Sequence, residues 1–441
     1  MNKIISILLM GILLLGSCNS RRETNSSVES QFISIKNGQF IRKGKPYYYI
    51  GTNYWYGASL GSSGEGGNRK RLVKELDLMK ANGIDNLRIL AGAEGPNGEP
   101  RRVSPAMQME PGRYDENLLD GLDFLLDEMR KREMVAILFV NNAWEWSGGF
   151  SQYVNWSTGE AIPYPEVKGK TWGEFMSFSG RFLHDEKAKS MFYKHVEFLT
   201  NRRNSINGIA YKDDPTIMTW EIANEPRAFS NENKTLFISW IDSTAALIKK
   251  NDPNHLVTTG SEGTWGCEND INLFERIHSD KNVDYLTMHI WPYNWSWLDP
   301  KDMDGSIDSA LIKVGKYMDL QMSIASKLQK PIVFEEFGLP RDGFSFAPNS
   351  TVRIRDKYYS YSFNRVLESA KHNGLMAGAN FWTYSGVGLP NPERTDNMWR
   401  NGDDYLGDPP QEAQGLNSVF ANDPTMTIVK QYNDSLIKLQ K

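Results

Sequence analysis

The sequence predicts an α/β protein folded as a (β/α)8 barrel, or TIM barrel, with an N-terminal β-hairpin cap and long loops after the strands. Short runs rich in β-branched and aromatic residues alternate with longer segments of helical periodicity, an order typical of a parallel sheet. Eight such runs occur, the number of strands that closes this barrel. Several runs precede long segments rich in Trp, Asn and Gly, as expected where strand ends carry a functional site.

The first predicted element is a β-hairpin over Phe32–Tyr49, with Asn37-Gly38 as its turn. We expect this hairpin to cap the N-terminal end of the barrel. The predicted barrel strands that follow are Tyr48–Asn53, Asp85–Leu90, Val135–Asn141, Ile217–Ile222, Leu256–Gly260, Tyr285–His289, Ile332–Glu336 and Gly378–Tyr384.

Helical patterns fill the intervals between these strands, because apolar residues recur there at close to helical spacing. The predicted helices are Arg69–Ala81, Asn117–Arg132, Ala188–Arg203, Leu236–Asn251, Ser306–Leu328 and Arg355–Asn373. An open, doubly wound sheet is the structural alternative, but no Gly-x-Gly-x-x-Gly follows the first strand. The long loops are Ala143–Gly180, Ser261–Asp270, Trp291–Asp304 and Ser385–Pro410.

Composition narrows the class of protein. The chain of 441 residues has 40% hydrophobic and 24% charged residues, which is typical of a globular protein with a large core. Its net charge of −4 and the lack of a basic stripe argue against a nucleic-acid partner. The 13 Trp, many of them in loops, favour a binding surface for flat ligands such as sugar rings. We expect a monomer.

The N-terminal segment has the features of an export signal. A positively charged start precedes the apolar run Ile4–Leu15, which is too short to span a bilayer. Leu15-Gly16-Ser17-Cys18 resembles a bacterial lipobox, so we expect a signal peptide over residues 1–17 and lipidation of Cys18. Residues 18–31 would form a flexible tether, and residues 32–441 a single catalytic domain.

This reading predicts an exported bacterial lipoprotein in the outer membrane or on the cell surface, with the lipid anchor as its only membrane contact. A periplasmic-facing or secreted protein is the alternative, since an ordinary signal peptide with an incidental Cys18 gives the same pattern. Cys267 would then be a free thiol, and no cysteine-enzyme signature surrounds it.

Two carboxylates stand at the ends of predicted strands. Glu225 follows the fourth strand in Asn224-Glu225-Pro226, and Glu336 ends the seventh in Phe334-Glu335-Glu336. Hydrolysis of a glycosidic bond needs one acid to protonate the leaving oxygen and a second carboxylate to attack or stabilise the anomeric carbon. Either motif alone is weak, but the two together at strand ends of one barrel favour this chemistry. Strand alternation allows only one of the neighbours Glu335 and Glu336 to face the barrel mouth.

The stretch from Phe192 to Arg227, FYKHVEFLTNRRNSINGIAYKDDPTIMTWEIANEPR, resembles the β-mannanases of glycoside hydrolase family 5. The resemblance extends from about Phe40 to the last strand. It implies a retaining endo-β-1,4-mannanase that hydrolyses mannan, galactomannan or glucomannan by double displacement and needs no cofactor.

The resemblance also implies a role for each matching residue. It implies that Glu225 is the acid/base and Glu336 the nucleophile. Supporting roles are implied for Arg88 beside the nucleophile, Asn224 at the sugar 2-hydroxyl, Arg227 on the leaving-group side, His289 at the end of the sixth strand, and Trp382 as the platform under the reacting sugar.

The sequence departs from the family pattern after the sixth strand. Family members carry His-x-Tyr there, and the Tyr donates a hydrogen bond to the nucleophile. This chain reads His289-Ile290-Trp291. Either the indole of Trp291 substitutes, or Tyr293 reaches in, or that hydrogen bond is missing.

Further binding residues are expected in the loops. Candidates for the sugar-binding groove are Trp55, Trp144 and Trp265, and Asn142 at the end of the third strand could bind sugar hydroxyls. No metal site is expected, because the six His show no ligand spacing. Neither a phosphate-binding loop nor a Gly-x-Ser-x-Gly elbow is visible.

Three other functions remain open at this point. An exo-acting β-mannosidase or mannobiohydrolase, or an endo-β-1,4-glucanase, could use the same scaffold. A surface lipoprotein that binds glycan without cutting it would keep the aromatic groove, but it would not need the paired carboxylates.

Overall fold

A ring of eight parallel strands forms the centre of the fold in the computed structural model, which describes residues 31–440. The strands are β1 (Ser34–Lys36), β2 (Gln39–Arg42), β3 (Lys45–Pro46), β4 (Tyr49–Asn53), β5 (Asn86–Leu90), β6 (Gln108–Glu110), β7 (Arg113–Tyr114), β8 (Val135–Phe139), β9 (Ile217–Glu221), β10 (Leu256–Thr258), β11 (Leu286–Ile290), β12 (Ile332–Phe337), β13 (Met376–Phe381), β14 (Tyr384–Gly386) and β15 (Val419–Phe420). The ring order is β4, β5, β8, β9, β10, β11, β12, β13, and β13 pairs back onto β4. A bridge between Thr258 and Tyr285 joins β10 to β11. The predicted (β/α)8 barrel is confirmed.

Helices surround this ring. They are α1 (Gly57–Gly61), α2 (Arg69–Ala81), α3 (Glu116–Lys131), α4 (Gly149–Thr158), α5 (Trp172–Gly180), α6 (Glu186–Thr200), α7 (Lys234–Asn251), α8 (Ile271–Ser279), α9 (Met303–Leu328), α10 (Arg353–Lys371) and α11 (Thr425–Leu439). The six predicted helices are all present, with ends shifted by no more than three residues. None of the helices between residues 31 and 440 combines the length and apolar character needed to cross a bilayer.

The segment predicted as one long loop, Ala143–Gly180, instead contains α4 and α5. Helix α4 begins directly after Gly148, whose φ of +89° suits glycine, and its sequence lacks a clear helical signal. Burial explains the helix, because Phe150 packs against Phe182 and Trp240 at ring-centroid distances of 4.5 and 5.0 Å. Tertiary packing here overrides weak local propensity.

The N-terminal cap covers the amino ends of the barrel strands, as predicted, and has a third strand, β3. Its turn residues Asn37 and Gly38 both have positive φ, 54° and 73°, as a two-residue hairpin turn requires. Fully buried Phe40 meets Tyr285 edge to face at 5.1 Å. Together they belong to what we call the bottom cluster: Ile33, Phe40, Tyr47, Tyr49, Val135, Met218, Leu256, Tyr285, Val333 and Ala377.

A side chain from the last helix, α11, forms hydrogen bonds with the first barrel strand, β4. Asn433 of α11 accepts a hydrogen bond from the backbone N–H of Ile50 at 3.1 Å and donates one to its carbonyl oxygen at 3.0 Å. Gln440 donates to the carbonyl oxygen of Tyr48 at 2.6 Å. We call these contacts the amide clasp.

The N-terminal predictions fall on residues that the structure does not describe. The signal peptide over residues 1–17, the lipidated Cys18 and the tether, apart from residue 31, lie outside the described residues. The other cysteine, Cys267, is buried, and burial raises the pKa of its thiol to about 12, so it stays protonated and is unsuited to nucleophilic chemistry.

Candidate active site

A cavity of about 770 Å³ opens at the carboxyl ends of the barrel strands. This is the face where barrel enzymes build their sites. The lining residues are Trp144, Glu145, Trp146, Trp172, Met176, Asn224, Glu225, Arg227, Glu262, Trp265, Trp291, Asn294, Trp295, Glu336, Trp382, Pro409, Gln411 and Glu412. Both predicted catalytic carboxylates and several Trp are thus brought together.

Glu336 lies near the end of β12 and is buried. One carboxylate oxygen accepts a hydrogen bond from Arg88 Nη1 at 2.9 Å. The other accepts one from the indole Nε1 of Trp291 at 3.0 Å. The indole of Trp291 therefore donates the hydrogen bond to Glu336 for which the sequence left three alternatives open. Tyr293 does not reach Glu336, because it is 37% exposed and packs against Phe344 at 4.7 Å.

Glu225 follows β9 and has a φ of +50°. A non-glycine residue in this region costs about 1–3 kcal/mol, and such strain is common at active sites. Its Oε2 accepts a hydrogen bond from Trp144 Nε1 at 2.5 Å, and its Oε1 lies 2.8 Å from His289 Nδ1. One carboxylate oxygen each of Glu225 and Glu336 and a ring nitrogen of His289 all lie within 4.8 Å of one another.

Arg88, on β5, sits between the acidic residues at the top of the barrel and is fully buried. It donates two hydrogen bonds to Glu221 at 2.6 and 2.9 Å and one to Asn224 at 2.8 Å, besides the one to Glu336. Burial opposes its charge, but the surrounding carboxylates more than compensate and raise the pKa of Arg88. Arg88 therefore places a permanent cation beside the carboxylate of Glu336.

A β-bulge places two adjacent acids on the inside of the barrel. Met288 of β11 pairs with Phe334 of β12, whereas the next residue, His289, pairs with Glu336, so Glu335 is the extra residue. Of the two acids, only Glu336 lines the cavity at the barrel mouth, as expected, but the bulge also brings Glu335 into the barrel interior, which regular alternation does not predict. Glu335 lies fully buried, 3.9 Å from Arg88 Nε.

Electrostatics couples the carboxyl groups of Glu225 and Glu336. Burial raises the pKa of Glu225, and burial together with the charge of Glu225 raises the pKa of Glu336. Two carboxylates this close titrate as a pair that holds one proton over a wide pH range. Cations act on both members of the pair, because Arg88 donates a hydrogen bond to Glu336, and Arg227 together with Arg88 opposes the raised pKa of Glu225.

Polar side chains next to Glu225 form a group of contacts around Trp144. Asn224 donates to Asn142 Oδ1 at 3.1 Å, and Asn142 in turn accepts from the backbone N–H of Trp144 at 3.0 Å. Arg227 forms a buried ion pair with Glu262, and its guanidinium lies 4.9 Å above the ring of Trp144. Asn142 and Arg227 therefore position Trp144, which donates a hydrogen bond to Glu225.

The aromatic candidates divide into two groups. Trp144, Trp265 and Trp382 line the cavity, with Trp265 stacked on Trp295 at 4.7 Å. Trp55 does not line it: the side chain is 2% exposed, and Nε1 donates to the carbonyl oxygen of Gly407 at 2.6 Å. The prediction that Trp55 binds sugar is wrong, because a Trp just after a barrel strand can equally pack under the loops.

Sequence reasoning missed three acidic residues of the cavity wall, Glu145, Glu262 and Glu412. Burial raises the pKa of Glu262 and of Glu412 to about 8 in each case. Glu262 could have been found, since it lies four residues beyond β10, at the functional face of the barrel. Glu412 lies in a loop without a recognisable pattern, so no local signal points to it.

A family model described as GH family 5 beta-mannosidase-like matches residues 30–441. The chain belongs to glycoside hydrolase family 5. It is 40% identical to a mutant form of a family 5 mannosidase from Rhizomucor miehei, solved with mannosyl-fructose, at a TM-score of 0.86 and covering 93% of this chain and 99% of that one. This family 5 enzyme is also 30% identical to mannan endo-1,4-beta-mannosidase 7 of Arabidopsis thaliana, over 83% of this chain and 81% of the relative. It is 29% identical to mannan endo-1,4-beta-mannosidase 1 of Oryza sativa, over 80% of this chain and 78% of the relative.

Membership in family 5 makes this chain a glycoside hydrolase. Enzymes of this class use a pair of carboxyl groups to hydrolyse the glycosidic bond. The resemblance seen in the sequence is confirmed, and a binding lipoprotein without catalysis is not favoured. Glu225 and Glu336 face one cavity, as hydrolysis of a glycosidic bond requires.

Proposed function

We propose that this enzyme hydrolyses β-1,4-linked mannan with retention of the anomeric configuration, using Glu225 as acid/base and Glu336 as nucleophile. The supporting observation is the separation of the two carboxylates, which have oxygen atoms within 4.8 Å of each other. Retaining enzymes hold their carboxyl groups about 5–5.5 Å apart, whereas inverting enzymes leave about 6.5–9.5 Å for a water molecule.

In the first step, Glu336 attacks the anomeric carbon while the bond from that carbon to the leaving oxygen breaks. Glu225 transfers its proton to that oxygen, so the shortened chain leaves as an alcohol. Arg88 and Trp291 hold Glu336 in position through hydrogen bonds of 2.9 and 3.0 Å.

In the second step, water attacks the anomeric carbon of the glycosyl-enzyme. Glu225, now ionised, takes a proton from this water, and the ester bond to Glu336 breaks. The nucleophile and acid/base return to their starting protonation states. Two inversions at one carbon give net retention.

We favour endo action on mannan, galactomannan or glucomannan, because the curated relatives with matches over about 80% of this chain are named mannan endo-1,4-beta-mannosidases. The cavity suits such a substrate, since Trp faces on several sides can stack against sugar rings.

Exo action on chain ends is the second candidate. The chain is 40% identical to the Rhizomucor mannosidase but about 30% identical to the plant endo-enzymes. In addition, Pro409, Gln411 and Glu412, from the loop between β14 and β15, form part of the cavity wall. A wall of this kind can close one end of a cleft.

One assay tests all parts of the proposal. Products from mannan, glucomannan and cellulose are followed from the first minutes, and the anomeric form of fresh product is read by proton NMR. We expect mannan oligosaccharides of several lengths and an initial excess of the β-anomer. Release of only mono- or disaccharide would favour exo action, an initial α-anomer would refute retention, and faster cleavage of cellulose would refute mannan specificity.

We further propose that the enzyme is exported and anchored by a lipid on Cys18. The support is the lipobox pattern Leu15-Gly16-Ser17-Cys18 after a short apolar run. Labelled palmitate should enter the wild-type chain and the Cys267→Ala variant but not Cys18→Ala. Label in the Cys18→Ala variant would contradict the proposal.

A further inference from the structure

Four carboxylates surround the single guanidinium of Arg88 at the top of the barrel. One of them, Glu335, differs from the others in its hydrogen bonding. Glu221, Glu225 and Glu336 each accept hydrogen bonds from neighbouring side chains. Neither carboxylate oxygen of Glu335 has a hydrogen-bond partner among the described residues, although the side chain is fully buried. An ionised carboxylate in this position would be desolvated, without hydrogen bonds and with only the 3.9 Å contact to Arg88 Nε to balance its charge, which is unfavourable.

The surroundings of Glu335 favour its neutral form. The facing ionisable groups are Tyr49 on β4, Arg88 on β5, Glu221 on β9, Tyr285 before β11, His289 on β11 and the adjacent Glu336. Burial and the charge of Glu221 raise the pKa of Glu335 well above its usual range, and Arg88 only partly opposes this. A neutral carboxylic acid differs from a carboxylate in one respect that matters here: it has an O–H to donate.

His289 has an acceptor without a partner close to Glu335. Its Nε2 is buried, has no hydrogen-bond partner among residues 31–440, and lies 3.8 Å from a carboxylate oxygen of Glu335. This is longer than a hydrogen bond, but such contacts in empty active sites often shorten when substrate binds. Burial and the nearby Arg88 lower the pKa of His289 well below its usual value, so the ring is neutral and carries one proton.

We propose that Glu335, in its protonated form, is a positioning residue that donates to Nε2 of His289 and thereby fixes the ring proton on Nδ1, next to Glu225. The proposal rests on Glu225 being the acid/base of the proposed function. It stands on three geometric facts: the bulge that turns Glu335 inward, the two neighbouring polar groups without partners, and the 2.8 Å contact from His289 Nδ1 to Glu225 Oε1.

The position of the ring proton decides which oxygen of Glu225 can act as the acid. With the proton on Nδ1, His289 donates to Oε1, so the transferable proton of Glu225 resides on Oε2, the oxygen that contacts Trp144. With the proton on Nε2, Nδ1 would be an acceptor, and Glu225 would direct its proton at the imidazole instead of the glycosidic oxygen. Glu335 itself takes no part in bond breaking. Through His289, it determines which oxygen of Glu225 carries the transferable proton.

Nitrogen NMR of protein with labelled histidine tests the proposal directly, since the two ring nitrogens of a neutral imidazole have different shifts. The chain has six His, and the signal of His289 is assigned by its loss in His289→Asn. We expect the Nδ1–H tautomer in wild-type enzyme and in Glu335→Gln, whose carboxamide can donate to Nε2. In Glu335→Leu we expect the Nε2–H tautomer to appear. Tyr49→Phe, which alters another neighbour of Glu335, should leave the tautomer unchanged.

Wild-type enzyme in the Nε2–H form would overturn the proposal even if no Glu335 variant folds, and so would Glu335→Leu with an unchanged tautomer. In kinetics, Glu335→Leu should lower kcat about tenfold, the size of effect expected from one hydrogen bond, with KM little changed, and Glu335→Gln should restore kcat. The NMR result does not depend on substrate or product, so its failure is distinguishable from failure of the proposed function.

Discussion

The two ends of strand β12 lie in opposite environments, although they belong to one short strand. Val333, near the start, packs in the bottom cluster among apolar and aromatic side chains. Glu336, three residues later, lies in the cavity with a buried carboxylate bound to Arg88. The same contrast holds around the ring, since the cap seals the amino ends and the loops form the site at the carboxyl ends.

Because of this contrast, residues at the bottom of the barrel mainly stabilise the fold, whereas residues at the top form the functional site. Burial of Phe40 and its neighbours at the bottom removes apolar surface from water, which stabilises the fold. At the top, several carboxylates have been removed from water, and the backbone of Glu225 adopts a left-handed conformation. The buried carboxylates and the left-handed backbone of Glu225 each lower the stability of the fold. Apolar packing in the lower barrel compensates for this loss. Changes at the two ends should therefore affect different measurements.

The largest expected effect is on catalysis at the top. Glu225→Gln and Glu336→Gln should each reduce kcat on mannan by at least about 10²–10⁴-fold, because each removes a group that acts in bond breaking. Calorimetric binding of mannan oligosaccharide should change little, and surface Glu133→Gln should retain wild-type kcat. Turnover close to wild type in either variant would refute the role of that residue.

At the bottom, Phe40→Ala should lower the free energy of unfolding by about 3–5 kcal/mol, because it removes a fully buried ring from the bottom cluster. Denaturant titration measures the loss, with Leu320→Ala on the exposed side of α9 as the control. The kcat of the folded variant at 25 °C should stay within about twofold of wild type. A large fall in kcat would show that the two ends are coupled.

Trp291→Phe isolates a single hydrogen bond at the top. The 3.0 Å bond from the indole to Glu336 involves a charged acceptor, worth about 1.5–3 kcal/mol, so kcat should fall about ten- to a hundredfold. Tyr293→Phe, two residues later, should change kcat less than about twofold, because Tyr293 packs against Phe344 instead. Equal effects of the two substitutions would contradict the placement of Trp291.

The smallest effect concerns stability and pH. Burial raises the pKa of Glu94, in the upper loops, to about 8 from 4.5. The folded state thus binds this proton more tightly than the unfolded state, so the stabilising contribution is complete below about pH 4.5 and is lost as the pH rises towards 8. The melting temperature of Glu94→Gln should fall less than that of wild type between pH 5 and 9. Parallel curves would show that Glu94 does not titrate in this way.

Periodicity predicted the regular parts of this molecule well. The ring of strands and helices such as α2, whose bounds were predicted correctly, follow from local patterns. The two glutamates proposed as catalytic, which the structure brings to one cavity, were identified because motif and strand order agreed. The interior position of Glu335 could not be predicted, since a bulge depends on the register between β11 and β12 rather than on the sequence of either strand. The burial of Trp55 likewise depends on distant loops.

The amide clasp sets an order of events during folding. Its contact between Asn433 and Ile50 joins residues 383 positions apart in the chain. The pairing of β13 with β4, which completes the ring, joins segments almost as distant. Neither can form until nearly the whole described chain has been synthesised, and contacts of such long sequence separation form slowly. The growing polypeptide therefore carries an unclosed sheet through most of its synthesis, and ring closure comes last.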